Sequence, residues 1–159
     1  MSDTNFVVIT LGSLNLALPA SELMLINERE KVTMKHGISM TQASDWQVPV
    51  YQLNEELRLV RKRNNKALYC AVFSDTNKRP LWGLICNQVT QKNTSQQPIK
   101  IPQISKHPHS PLINVIVDNT PEKDSEDLWI FTTTTQALTH YLERSLSNEH
   151  QDQSINMAC

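Results

Sequence analysis

What most constrains this chain is a cadence of short β-branched and aromatic runs, each cut off by Gly, Pro, Asn, Asp or Ser before it can lengthen. Residues 6–11 and 14–18 flank Gly12-Ser13 as a hairpin, and in its second arm Leu14, Leu16 and Leu18 alternate with Asn15 and Ala17, the period of a strand. "ALYCAVF" (67–73) and "PLWGLIC" (80–86) flank the turn "SDTNKR", and "LINVIVD" (112–118) and "LWIFTTT" (128–134) are two further strands. Helices are few. Residues 20–26 are predicted as a short helix capped by Ser21, with Leu23, Met24 and Ile26 turned to the core; Asn54 is predicted to cap a second, with Leu57 and Val60 inward. Residues 135–146 form a third, with Ala137, Leu138, Tyr141, Leu142 and Leu146 on one stripe. Residues 27–37 read as a connecting loop or irregular strand, 87–100 as polar and weakly structured, and 147–159 as a disordered tail. About seven short strands or more with so little helix predict a mainly β fold, a small barrel or sandwich, without a long internal repeat.

Composition removes whole function classes. Only three glycines occur, Gly12, Gly37 and Gly83, far apart in sequence. A phosphate-cradling loop needs them clustered, so no Walker loop, dinucleotide fingerprint or nucleophile elbow fits. A net charge of −1 gives no general basic face for nucleic acid. The opening "MSDTNFVVITLG" lacks the pattern of a signal peptide, and no window reaches the roughly 18 apolar residues of a membrane span. A cytoplasmic protein without membrane insertion is expected. Its three cysteines are then expected as reduced thiols.

The chemistry-bearing residues do not assemble. His107-Pro108-His109 is the best metal-ligand pair, but proline keeps it extended and no third ligand sits nearby. Cys70 and Cys86 lie symmetrically about a turn, as cross-strand neighbours, with reduced thiols favoured over a disulfide. Glu55-Glu56 and Asp124, Glu126 and Asp127 read as solvated carboxylates, and Arg58, Arg61, Lys62, Arg63 and Lys66 as a solvated turn. Asn93-Thr94-Ser95 fits a glycosylation sequon, moot in a cytoplasmic protein. No nucleophile, base and oxyanion donor converge, so no enzymatic activity, cofactor or metal is expected.

One strand breaks the rules of a paired ladder. In Val48-Pro49-Val50 the proline lacks an N–H, which places it on an edge, at a strand start or at a bulge. That segment also carries a resemblance. Pro49-Val50-Tyr51-Gln52-Leu53 resembles the Pro-Val-x-Asp-Leu signature of CheW-type chemotaxis coupling proteins. Gly83-Leu84-Ile85-Cys86-Asn87-Gln88-Val89 is similar to their Gly-Leu-x-Val-Asp-x-Val strand, "FVVITLGSLNLALPASEL" to their opening strands, and "LWIFTTTTQALTHYLE" to their closing strand and helix. The likeness spans roughly residues 5–146, and order and spacing carry it. Departures mark a diverged member: His36-Gly37 stands for Arg-Gly, Ala43-Ser44-Asp45 for Leu-Arg-Gly, Gln52 and Asn87 for aspartates.

The resemblance implies one domain over 1–146, made of two small SH3-like β-barrel subdomains with a shared core, short helices and a C-terminal helix. It implies a non-catalytic scaffold with no cofactor, which joins the regulatory domain of a histidine kinase to the tip of a methyl-accepting receptor or to a pilus-motility (twitching) system. Binding would use barrel edges and an apolar groove, with His36, Gly37, Ser44, Asp45, Val48, Val50, Gln52 and Leu84 as the partner-binding candidates. The alternatives are a nucleic-acid-binding barrel, another interaction module, or a degenerate domain that competes with a true coupling protein.

Overall fold

The computed structural model describes residues 4–60, 68–94, 99–100, 110–118 and 128–157. The strands are β1 (Thr4–Leu11), β2 (Leu14–Pro19), β3 (Leu23–Glu28), β4 (Thr33–Lys35), β5 (Ile38–Ala43), β6 (Trp46–Gln52), β7 (Tyr69–Ser74), β8 (Pro80–Cys86), β9 (Gln88–Thr94), β10 (Ile99–Lys100), β11 (Asn114–Asp118) and β12 (Leu128–Thr132). A single α-helix, α1 (Thr135–Met157), follows. It extends past residue 146 and takes in most of the segment read as a tail.

The strands make two six-stranded sheets, ordered β10-β11-β12-β2-β1-β9 and β3-β7-β8-β6-β5-β4. Each is built around a hairpin, β1–β2 or β7–β8, whose second strand runs parallel to the last strand of another hairpin, β12 or β6. The strand after each hairpin crosses over: β3 pairs with β7 of the second sheet, and β9 pairs with β1 of the first. Thus β1–β6 and β7–β12 trace the same path and exchange their later strands. Sequence comparison of the halves reveals no such repeat, because the path lies in the pairing and not in residue identity.

Alternation on the hairpin strands explains the packing. Val7, Ile9, Leu11, Leu16 and Leu18 of the first sheet meet Ala71, Phe73, Trp82, Leu84 and Cys86 of the second in a shared core, joined by Leu138 and Leu142 of α1. The intervening residues point the other way. Val8, Ala17, Ile116 and Ile130 fill the concave side of the first sheet; Ala43, Val48, Val50, Cys70, Val72 and Ile85 fill that of the second. The result is two open, SH3-like barrels back to back. A fully buried leucine or phenylalanine contributes about 1.5–3 kcal/mol, so this doubly covered hairpin pair dominates the stability. At its centre the Phe73 and Trp82 rings lie 5.3 Å apart, tilted by 43°.

Four expectations are corrected. Residues 20–26 are no helix: Ala20–Glu22 is one 3-10 turn, and Leu23–Glu28 pairs with β7, leaving Ile26 46% exposed at the sheet's margin instead of in the core. Pairing along β7 supplies hydrogen bonds and apolar contacts that an isolated two-turn helix of this length lacks. Within 27–37, Arg29–Lys31 is a 3-10 turn and Thr33–Lys35 a regular edge strand. Residues 88–94 are not weakly structured but pair along β1 from Thr10 to Thr4; main-chain bonds hold them, and polar side chains suit an edge strand.

Pro49 is the fourth case. Its strand β6 lies inside the sheet, between β5 and β8. The ladder to β5 spans Trp46–Pro49, and the ladder to β8 begins only at Val50. The strand changes partner at the proline, so neither ladder runs on both sides of it. This is how an interior strand accommodates a residue without an N–H.

Cys70 opposes Ile85 and Cys86 opposes Tyr69, one step out of register, so the thiols lie on opposite faces of the sheet and are free. They are not the cross-strand neighbours that symmetry about the turn implied. Burial pushes both thiols up to about 12, assisted at Cys86 by Cys70. At pH 8 their thiolate fraction is about a thousandfold below that of an ordinary cysteine. In a Cys159→Ser background, native protein is expected to take up no iodoacetamide over an hour and to take up two equivalents in denaturant. Rapid native labelling of either thiol would contradict the packing.

Candidate functional site

A cleft lies where the β1–β2 turn meets the end of β6. Gly12, with φ of 64°, occupies the first loop position of a two-residue hairpin turn, where positive φ is required. Its N–H donates to Asn87 Oδ1 at 2.9 Å, and Asn87 N–H donates to the Thr10 carbonyl at 2.9 Å. Ser13 Oγ donates to Glu55 Oε2 at 2.7 Å. A Cβ on Gly12 would lie 2.5 Å from the exposed Glu55 side chain, which would have to swing aside, so the positive φ is the firmer requirement for glycine. These bonds tie the first hairpin to the chain leaving the second sheet.

That chain does not enter a helix. Asn54 Oδ1 accepts from the N–H groups of Glu56 and Arg58, both at 2.9 Å, and Asn54 O accepts from Leu57 N–H at 2.9 Å. Leu57 adopts φ of 61°, after which Leu59 bridges back to Leu53 and Val60 N–H donates to Gln52 O. The β7–β8 turn repeats this arrangement: Asp75 Oδ1 accepts from Asn77 and Arg79 N–H, and Lys78 has φ of 61°. An Asx residue followed by two acidic or polar residues opens a helix and a turn alike, which is why the predicted helix is wrong. The left-handed residue three places on decides between them.

Between these parts lies a cleft of about 250 Å³, walled by Leu11, Gly12, Leu53, Glu55, Val60 and Asn87. Gln52, Val60 and Ile85 also line a smaller neighbour of about 70 Å³, at the mouth of the second barrel beside Arg29, Val32, Met34 and Tyr51. The floor of the larger cleft is apolar and its rim carries the amides of Gln52, Asn54 and Asn87 with the Glu55 carboxylate. The Tyr51 hydroxyl is pushed up from its ordinary range by burial and, secondarily, by the Glu143 carboxylate, so it remains a hydrogen-bond donor. Arg58 meets Glu56 at 3.5 Å, a solvent-exposed pair of little energetic weight.

Of the partner-binding candidates, Gln52 lines this cleft, and Gln52 and Val50 line its smaller neighbour. His36 and Gly37, with φ of 52° and 79°, form the β4–β5 turn; Ser44 and Asp45 form the β5–β6 turn, with Ser44 at φ of 56°. The two turns sit at opposite ends of β5, roughly 20 Å apart for a six-residue strand. Val48 lies inside the second barrel and Leu84 inside the shared core, both buried, while Val50 is buried in the second barrel and lines its small cavity. Sequence reading gave Gly12-Ser13 only as a hairpin turn, Glu55 as a solvated carboxylate and Val60 as the inward face of a helix, and proposed none of them as a binding residue; a turn glycine was the one available signal. His107 and His109, the basic residues 61–66, the acidic residues 124–127, Ser95 and Cys159 lie outside the described residues. Among the described residues no cluster of His, Cys, Asp and Glu is arranged to hold a metal ion, and no helix is long and apolar enough to cross a membrane.

No family model and no curated protein sequence matches the chain. Its structure does find likenesses. The crystal structure of the scaffolding protein TtCheW from Thermoanaerobacter tengcongensis superposes with a TM-score of 0.57 at 12% identity, covering 83% of this chain and 89% of that one. The chain has the CheW-like fold. The two open barrels, the shared core and the helix that closes the chain are therefore one known architecture, reached here by a sequence that has kept little of the other's identity.

Proposed function

We propose that this protein is a non-catalytic cytoplasmic signalling scaffold that binds the regulatory domain of a chemotaxis-type histidine kinase and couples it to a receptor tip or a motility system. The observation that carries this reading is the fold shared with a scaffolding protein over most of both chains. The cleft between hairpin and β6 corner supports it, since its lining is apolar at the floor and uncharged over most of the rim. Gln52 and Glu55 are the residues through which the cleft meets a partner, and the 36–37 and 44–45 turns form a separate surface on the second barrel.

The test is direct binding to the regulatory domain of a chemotaxis-type histidine kinase from the same organism, followed by calorimetry. A dissociation constant on the order of micromolar is expected, as for transient signalling interfaces. Gln52→Arg is expected to weaken it at least tenfold without changing the melting temperature. Absence of binding at tens of micromolar protein would overturn the reading. Kinase binding that excludes the receptor tip would instead identify a competitor of a true coupling protein.

A further inference from the structure

The two Asx turns differ in what holds their left-handed residue. Both turns are closed by their own bonds, Asp75 N–H to Arg79 O at 3.0 Å and Asn54 N–H to Arg58 O at 2.9 Å, but at 75–79 the left-handed residue is Lys78, which is exposed. At 54–58 it is Leu57, 6% exposed and packed into the shared core. Leucine takes up positive φ only where its surroundings impose it. Here the surroundings include α1: the Tyr141 hydroxyl donates to the Leu57 carbonyl, joining residues far apart in the chain.

The helix is in turn fixed at several points. Thr134 Oγ1 caps it by accepting from Ala137 N–H at 3.1 Å, and the Glu22 carboxylate, between β2 and β3, accepts from Thr135 N–H at 3.3 Å. One turn further on, Trp82 Nε1 donates to Thr139 Oγ1 at 2.9 Å. Tyr141 therefore projects from a helix anchored to both sheets, and its tie reaches the turn that carries Asn54 and Glu55 into the cleft wall.

We infer that Tyr141 is the positioning residue of the cleft: through the Leu57 carbonyl, α1 holds the 54–58 turn in the shape that presents Glu55 and Asn54. The helix is thus part of the binding surface without lining it. The consequence for partner binding rests on the function proposed above; the tie itself does not.

Amide hydrogen exchange on Tyr141→Phe tests the tie without any partner. The amides of Asn54, Glu56, Leu57, Arg58 and Val60 are expected to exchange about five- to tenfold faster, the loss of one hydrogen bond. Those of Asn77, Lys78 and Arg79 in the twin turn, and of the β1, β7 and β8 core, should keep their rates. Unchanged rates at 54–60 would overturn the inference, as would a uniform rise that includes the core, which is the mark of a general loss of stability. Asn54→Ala combined with Tyr141→Phe should accelerate exchange by a factor different from the product of the two single effects; simple multiplication would show that they do not hold one structure. Where the wild type binds the kinase domain, Tyr141→Phe should weaken it at least threefold, and equal affinity would remove Tyr141 from the site. If the wild type binds no kinase domain, the functional proposal fails and the exchange result still decides the tie.

Discussion

Val50→Asp is expected to unfold the second barrel at neutral pH, with a loss of at least about 4 kcal/mol, most of the stability of an ordinary domain. Val50 is buried among Val48, Cys70, Val72 and Ile85, and it also lines the small cavity that Arg29 and Tyr51 border. Desolvation by the apolar neighbours is expected to outweigh a guanidinium at the cavity's rim, which raises the aspartate's folded pKa above its unfolded value near 4. The sign follows. Stability is restored at low pH, where the group is protonated in both states, and is lost as pH rises through the folded pKa. Urea unfolding at pH 7 and at pH 5 should show the deficit shrinking at the lower pH. Val50→Asn should be destabilised without that pH dependence. Normal melting of Val50→Asp at pH 7 would mean that the β6–β8 register places Val50 on the wrong face.

Gly83 makes the second large effect, and it can reverse sign. A Cβ at Gly83 would stand 2.6 Å from Cys70 Sγ, 3.4 Å from Val50 Cγ2 and 3.6 Å from Val72 Cγ2. No positive φ is involved, so the requirement for glycine is purely steric. Two terms compete in Gly83→Ala. Reduced freedom of the unfolded chain favours alanine by about 0.4–1 kcal/mol, whereas overpacking a closed core costs about 1–3 kcal/mol. Overpacking wins, and Gly83→Val should leave little folded protein. With Cys70→Ala the obstructing sulfur is gone, so on that background Gly83→Ala should be neutral or stabilising. A double-mutant cycle by chemical denaturation measures this coupling, and additive effects would show that Gly83 and Cys70 do not meet.

Both effects arise where neighbours are distant in sequence, and this separates what was legible from what was not. The hairpins β1–β2 and β7–β8 were legible because alternation and a local turn specify them within one short segment. The turn at Asp75 was legible for the same reason. The turn of the same geometry at Asn54 was not, because Asn-Glu-Glu opens a helix equally well, and the choice is made at Leu57 by burial and by Tyr141. The cleft suffered likewise. Gly12, Ser13 and Glu55 are ordinary surface residues until the first hairpin is set against the end of β6.

The sequence by itself determined a mainly β chain of short strands with a C-terminal helix, and its three widely spaced glycines left no place for a phosphate-cradling loop. Local periodicity and turn residues suffice for that, since each acts over a few positions. Only the tertiary structure decided that β3 and β9 cross between sheets, that Pro49 sits at a change of partner, and that one Asx turn becomes a cleft wall. Backbone hydrogen bonds are blind to side-chain identity, so strand partners are chosen by which faces bury together, and that is settled only when both sheets close on their common core.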